Sequence, residues 1–562
     1  MSTSMAELLA RARAVREAAQ KAKQEVQQEV QQEVQSTQHP VQPHVQFSDD
    51  IQLNQKQQEF MNLVLSGADC VLIGAAGTGK TTCLKAVIQA LATLPSAVPL
   101  KGAHKHLTEG TPSTILTSFT RRAVNNLKRA VSSDFKSNCI TLHKLLEYEP
   151  HYYEVIDPET GEEKKTMKFQ PSRSIYNPLD SSIRTIVIDE ASMVSLELEE
   201  EVNIALPHKV QRIYLGDINQ LPPVFGSAVL GYRMQELPVI ELTEIYRQAA
   251  NSPIIKYATA IKNGEVFSFK EKHVEETEDG KITFHPWKKR ITGEDALATT
   301  ALFLKRAIDL GSYDPDEHMV LCPFNKSFGT IELNKHIANH LARKRDATTY
   351  EIVAGFLTHY YSPGDKVMYD KEDAVIISIS RNGAYTGTKR PKKESVTLDY
   401  WGCEQGGEEA ILAARKLEEE TNIGLSEEDV EKMLEEMSSA QEETRVTAAS
   451  HVITLRMLDT DQEVVIDSAA EINAMMYGYA LTVHKAQGAE WDKVFICLHQ
   501  SHATMLQREL LYTALTRARE EVYVICENDT FTKGVQSQKI KGNTLQEKSE
   551  YFKGRHLGNG MR

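Results

Sequence analysis

The stretch Gly74-Ala75-Ala76-Gly77-Thr78-Gly79-Lys80-Thr81, set between the apolar run Val71-Leu72-Ile73 and the helical stretch TTCLKAVIQAL, constrains this chain more than any other feature. A strand that passes into a helix through a glycine-rich loop turns several backbone N–H groups inward, and a helix N-terminus adds a favourable dipole for an anion. Lys80 is placed to offset charge on the β and γ groups of a nucleotide, and Thr81 to ligate magnesium. Gly74, Gly77, Thr78, Gly79 and Thr82 complete the expected cradle. The loop therefore implies ATP and Mg²⁺, and it commits its surroundings to a parallel α/β fold.

A phosphate loop alone implies only a bound nucleotide. Asp189-Glu190, closing the apolar run RTIVIDE about a hundred residues later, supplies what hydrolysis lacks. Asp189 is suited to holding magnesium through water, and Glu190 to orienting and deprotonating the attacking water. Transition-state charge on the γ-phosphate also calls for arginine, and Arg247 in LTEIYRQ and Arg517 in LYTALTRAR are the two candidates.

With 562 residues the chain exceeds what one core of ordinary size accommodates, so several domains are expected. Apolar residues at 41% and charged residues at 25% match a globular enzyme, and no apolar run is long enough to span a bilayer. The first twenty residues lack the pattern of a secretory signal, which leads us to expect a cytoplasmic protein. The seven cysteines have no CxxC pair and no matching histidine spacing, so neither zinc nor disulfides are expected. A net charge of −14 runs against nucleic-acid binding if taken as a whole, but acidic segments concentrate the excess, so local charge decides.

Short β-branched runs alternate with helical stretches twice along the chain, first in DCVLIG, STILTS, RTIVIDE and QRIYLGD, then in HMVLCPF, KVFICLH and EVYVICE. Two α/β domains follow from that alternation. Residues 148–169 have strand-like arms around a DPETGEE turn and predict a hairpin. KVMYD, AVIISIS, SVTLDY, HVITLRML and EVVID have the spacing of a small barrel, interrupted by an acidic helical insert over 404–444. Residues 1–46 are polar, with Val26, Val30 and Val34 on one helical face, and predict a disordered or partly helical tail.

Taken in order, these segments resemble superfamily 1 helicases, and within them the RecD-like and Dda-like branch, superfamily 1B. The likeness runs from about Leu53 to Cys526 through LNQKQ, the phosphate loop, TSFTRRAVNNL, ITLHKLL, IDEAS, GDINQLPPV, YRQ, CPFNKSFGTIELN, GDKVM, YALTVHKAQGAEWDKV and YTALTRAR. The resemblance implies two RecA-like parallel-sheet motor domains with an inserted β-hairpin pin and an inserted SH3-like β-barrel. It divides the chain into a tail (1–46), a first motor domain (47–147 and 183–250) holding the pin (148–182), a second motor domain (251–365 and 471–535) holding the barrel (366–470), and a C-terminal tail (536–562). By the same resemblance Gln57 reads the adenine, Gln220 senses the γ-phosphate, Gln487, Gly488 and Glu490 face the nucleotide, and Arg247 and Arg517 act as fingers. Thr120, Arg121, His143, Thr482 and His484 would touch the strand, with Phe169 as an aromatic at the base of the pin. The implied activity is ATP-dependent 5′-to-3′ unwinding of DNA by a monomer acting on single-stranded and forked DNA beside replication or recombination proteins, with no membrane. A translocase that remodels nucleoprotein without unwinding, and a non-catalytic ATP-switched scaffold, are the competing expectations.

Overall fold

The computed structural model describes residues 53–92, 98–102, 104–156, 163–224, 226–245, 251–287, 292–326, 328–370, 372–385, 448–458 and 460–559. The tail expected at 1–46, the acidic insert at 404–444 and Arg247 lie outside the described residues.

The first core is a sheet of six strands, β1 (Cys70–Gly74), β2 (Thr114–Ser118), β3 (Cys139–Thr141), β6 (Thr185–Asp189), β7 (Gln211–Gly216) and β8 (Val239–Leu242), in the order β3-β2-β6-β7-β1-β8. Every pairing in it is parallel. Strand β1 is buried at all five positions because both faces of a parallel sheet are covered. Its two-residue period divides the work: Val71 and Ile73 join one apolar cluster with Ile186, Ile188 and Tyr214, while Cys70 and Leu72 join another with Val187, Ile213 and Leu215. Helices α1 (Gln55–Leu65), α2 (Lys80–Ala92) and α3 (Arg121–Ala130) flank this sheet. Inserted after β3 is an antiparallel hairpin of β4 (Tyr148–Ile156) and β5 (Glu163–Pro171), in register from Tyr148 opposite Pro171 to Ile156 opposite Glu163.

A second sheet follows, of β9 (His273–Thr277), β10 (Gly280–Pro286), β11 (Met319–Cys322), β19 (Ala480–Thr482), β20 (Trp491–Leu498) and β21 (Ala518–Cys526), ordered β19-β11-β20-β21-β10-β9. Only β9 runs antiparallel, at the edge. The alternation repeats here, with Met319, Leu321, Val494 and Ile496 on one face and Val320, Cys322, Phe495 and Cys497 on the other. Two RecA-like parallel cores are thus present, as the alternating runs predict.

Between β11 and β19 the chain builds a smaller antiparallel unit. Strands β14 (Lys366–Tyr369), β15 (Glu372–Arg381), β16 (Ala448–Met457), β17 (Glu463–Ser468) and β18 (Met476–Tyr477) pair in the order β17-β16-β15-β14-β18. The hairpin of β12 (Tyr350–Ala354) and β13 (Leu357–Tyr361) shares its core, since Ile352, Ala354 and Tyr361 cluster with Val367, Ile376, Ile453 and Ile466. The unit therefore begins near Tyr350, earlier than the run of strands in the sequence suggests.

The C-terminal segment holds more structure than the word tail implies. Helix α6 (Arg508–Leu515) of the second core is followed by α7 (Leu545–Asn559), which packs on α4 (Val229–Glu236) of the first core, and α5 (Pro253–Asn263) packs on α6. Ile540 and Phe552 are buried in the first core's apolar cluster. Among the described residues, no helix is long and apolar enough to cross a membrane.

Candidate nucleotide and strand site

The phosphate loop, Asp189-Glu190 and the GDINQ loop stand at the carboxyl ends of β1, β6 and β7, the side of an open α/β sheet where ligands bind. The loop after β1 requires glycine twice for its backbone, with φ of 77° at Gly77 and 82° at Gly79, values at which a side chain is strained. Gly74 is needed for space, because a Cβ there would stand 2.5 Å from Thr78 Oγ1. Thr78 is buried and donates to the Ala75 carbonyl at 2.8 Å, which closes the curl. Lys80 Nζ donates to the carbonyls of Gly74 (2.6 Å) and Ala75 (3.3 Å), so the ammonium already sits inside the loop. Thr81 and Thr82 follow on the first turn of α2, exposed and half-buried respectively. Gln57 is fully buried on α1, where its carbonyl accepts from the Asn54 backbone (3.0 Å) as half of a capping box and its amide reaches the Gly79 carbonyl at 3.4 Å.

Asp189 ends β6, and burial, followed by the charge of Glu190, pushes its carboxyl well above the ordinary range. Glu190 itself has a φ of 51°, an unusual backbone for a side-chain residue, and its Oε2 is buried with no hydrogen-bond partner. The charge of Lys80 opposes this shift, and that of Glu490, from the second core, adds to it. The side chain of Gln220 is buried, and its Oε1 too has no partner. Asp189, Glu190 and Lys80 interact beside the phosphate loop, and they are groups that a nucleotide carrying a divalent cation would engage; among the described residues no group of three or more His, Cys, Asp or Glu is placed to hold a metal ion by itself.

The second core meets this region through Gln487 and Gly488, which the sequence reading names, and through Tyr512 and Thr513, which it misses. The Ala76 N–H donates to Tyr512 Oη at 3.2 Å, and the same hydroxyl donates to the buried carboxylate of Asp217. Leu221 N–H donates to Thr513 Oγ1 (3.0 Å), and Gln487 Nε2 donates to the Leu221 carbonyl (2.9 Å). Asn126 on α3 donates to the Gly488 carbonyl at 2.8 Å. A buried tyrosine in an apolar helix looks like core in a sequence, so Tyr512 carried no signal there. Arg517 is 4% exposed and donates to the carbonyls of Thr513 (3.2 Å) and Ala489 (3.2 Å) and to Thr516 Oγ1 (3.3 Å), all in its own core. Glu490 is exposed and pairs with Arg519 at 3.4 Å.

The residues expected to touch a strand are scattered over several environments. Thr120 caps α3, its hydroxyl accepting from Ala123 N–H at 3.1 Å. Arg121 is engaged by the turn between β14 and β15, bonding Asp370 Oδ2 (3.0 Å) and Glu372 Oε1 (2.9 Å), and Arg122 pairs with Asp373 at 2.8 Å. His143 lies edge-on between Phe119 and Tyr148, with ring centroids 5.4 Å and 5.0 Å away. Thr482 is buried and accepts from Lys485 N–H at 3.3 Å. His484 is half-buried, and burial, then the charge of Lys539, holds its imidazole below the usual range. Phe169 stands opposite Pro150 near the base of the hairpin and is 59% exposed. A residue that merely anchored the hairpin to the core would be covered.

A model of the AAA domain matches residues 52–283, and a model of the UvrD-like helicase C-terminal domain matches residues 477–525. The ATP-dependent RecD2 DNA helicase of Deinococcus radiodurans is 27% identical over 472 residues, 84% of this chain and 48% of the relative, so the chain spans about half that protein's length. The ATP-dependent DNA helicase dda of Enterobacteria phage T4 is 24% identical over 503 residues, covering 84% of this chain and 99% of the phage protein. Among solved structures, Pif1 helicase from Bacteroides in complex with ADP-AlF3 and ssDNA has a TM-score of 0.44 at 17% identity, over 90% of this chain and 98% of that one.

Two RecA-like cores, a phosphate loop and these two domain matches define a nucleotide-binding P-loop enzyme of the ATP-hydrolysing helicase class. The chain is homologous to RecD2, to the RecD subunit of RecBCD and to Dda, which is consistent with a superfamily 1B helicase.

Proposed function

We propose that this chain is an ATP-driven DNA helicase that moves 5′ to 3′ on single-stranded DNA. The observation that carries the reading is the chain of contacts from Ala76 through Tyr512 to Asp217, which joins the phosphate loop, the GDINQ loop and the second core at one seam. A change in occupancy of the loop then bears directly on how the cores sit together, which is what a motor needs.

In this reading Lys80, with the N–H groups released by Gly74, Gly77 and Gly79, binds the phosphates, Thr78 and Thr82 shape the loop, and Gln57 faces the base. Thr81 and Asp189 would hold Mg²⁺, which when bound would supply positive charge to the β and γ phosphates. The raised carboxyl of Asp189 supports that assignment, since a cation relieves the repulsion from Glu190 and Glu490. Glu190 orients and deprotonates the attacking water. Gln220 couples the site to the strand surface, Gln487, Gly488 and Glu490 face the nucleotide across the seam, and Arg247 and Arg517 stabilise transition-state charge. Arg517 would have to exchange its carbonyl partners for phosphate to do so.

Thr120, Arg121, His143, Thr482 and His484 would line the strand path, with Asp370 and Glu372 yielding Arg121 to a phosphate. The β4–β5 hairpin acts as the separating pin, and the antiparallel unit from Tyr350 onward as the SH3-like barrel. The resulting motor works as a monomer on forked DNA, in replication, recombination or repair. Partial duplexes with a single-stranded tail at either end, tested with ATP, magnesium and a Lys80→Ala control, check the reading. Unwinding is expected only from the 5′-tailed duplex and not with the control. A 3′-only result would overturn the polarity, and ATP turnover without unwinding of either would replace the helicase by a translocase.

Phe169→Ala tests the pin separately. Because the ring is exposed, Tm should stay within about 1 °C, as surface changes shift stability by less than ~0.5 kcal/mol. Loss of a base-stacking contact should slow unwinding roughly tenfold while ATP turnover persists. Unwinding at the full rate would remove Phe169 from the pin.

A further inference from the structure

Residues after Gln536 leave the second core and return to the first. Glu509 on α6 accepts from the backbone N–H groups of Lys539 (3.1 Å) and Ile540 (2.9 Å), which fastens the start of the segment to the second core. Beyond it, Phe552 sits under Gly231, where an added Cβ would stand 2.5 Å from the ring, and packs edge-on against Tyr232 at 5.9 Å. The segment thus crosses between the cores and is buried at both ends.

Its middle carries one charge into the interior. Lys548 is 3% exposed, and its Nζ donates to Asn219 Oδ1 at 2.7 Å and to the Ile218 carbonyl at 3.4 Å. Asn219 in turn donates through its backbone and side chain to Asp217 Oδ1, at 3.0 Å and 2.9 Å. Asp217 holds Tyr512, which receives the Ala76 N–H of the phosphate loop. The next residue after Asn219 is Gln220, whose buried Oε1 has no partner. A buried ammonium is costly unless it is fully bonded, so its presence here needs a reason beyond packing.

We propose that Lys548 is a positioning residue for the nucleotide site: it fixes Asn219, and through the Asp217 to Gln220 loop it sets where Gln220 and Tyr512 stand relative to the phosphate loop. The inference rests on the nucleotide reading of that site. It makes the C-terminal segment a strap that links the two cores to the loop sensing phosphate, so the segment contributes to coupling as well as to stability.

Lys548→Met, Asn219→Ala and the double variant, each in the full chain, test this through the steady-state kinetics of strand-stimulated ATP turnover beside Tm. Lys548→Met should lower kcat roughly tenfold, the effect of losing one charge-assisted hydrogen bond from the transition-state arrangement, with KM for ATP changed less than about twofold. The double variant should be no slower than the worse single one, because both changes cut the same connection. Lower Tm with kcat intact well below the transition, or kinetic effects that multiply in the double variant, would overturn the proposal. No turnover by the unaltered chain would overturn the nucleotide reading and this inference with it, whereas normal wild-type turnover with an unaffected Lys548→Met rate would remove the inference alone.

Discussion

Glu190→Gln should bind ATP with little change while its strand-stimulated turnover falls by roughly 10² to 10⁴, the usual contribution of a positioned general base. Glutamine keeps the shape and one acceptor, so what is lost is the capacity to take a proton. In the proposed mechanism this residue is the base and its neighbour the cation ligand. Glu190, directly after β6, has a strained φ of 51°, and its Oε2 is buried without a hydrogen-bond partner. Asp189 is the last residue of β6. The same variant should be slightly more stable than wild type, because removing the negative charge of Glu190 relieves the repulsion that helps raise the carboxyl of Asp189. Nucleotide-binding titration, kcat and Tm measured together separate this pattern from its rivals. Loss of binding along with turnover would mean a structural role for Glu190, and turnover within tenfold of wild type would move the base elsewhere.

What the sequence discloses about this molecule depends on how local the physics is. The phosphate loop is legible because eight consecutive residues set its curl, and both left-handed glycines are needed at fixed offsets. The parallel cores are legible because strands buried on both faces are apolar along most of their length, as in CVLIG and the Ile186-Val187-Ile188 run of TIVID. The hairpin is legible from its turn and its alternating arms. Contacts between distant segments leave no such mark. Tyr512 in LYTALTR has the neighbours of a core residue, yet its hydroxyl bridges Ala76 and Asp217. Residues 536–562 read only as a C-terminal tail, and the place of α7 is set by Phe552 entering, beside Ile540, a core that begins hundreds of residues earlier. Arg121 illustrates the opposite case. Its motif marks a strand contact by resemblance, but the turn bearing Asp370 and Glu372 comes from a separate unit, and only the folded chain brings those carboxylates to it.

Gly488→Ala should uncouple the two cores. Gly488 has a φ of 75°, and a Cβ there would stand 2.6 Å from the Cβ of Ala123 and 2.8 Å from Thr120 Oγ1 on α3 of the first core. Neither neighbour yields easily: Ala123 lies in the first turn of a helix, and Thr120 supplies its N-cap bond at 3.1 Å. The methyl group must therefore push the second core away, weakening the bond from Asn126 to the Gly488 carbonyl and the alignment of Gln487 with Leu221. Each core keeps its own apolar interior, so the protein should still fold. A displacement of about 1 Å between catalytic groups can cost roughly a hundredfold in rate, and turnover and unwinding should fall together by that order. Removing the opposing methyl with Ala123→Gly tests the cause. Steric opening predicts partial recovery in the double variant, despite a helix cost of about 1 kcal/mol for glycine. If the double variant is no faster, the methyl of Ala123 is not the cause, and the defect lies with Thr120 Oγ1 or with the left-handed backbone of Gly488; if Gly488→Ala is as active as wild type, the seam described here is not the working interface of the motor.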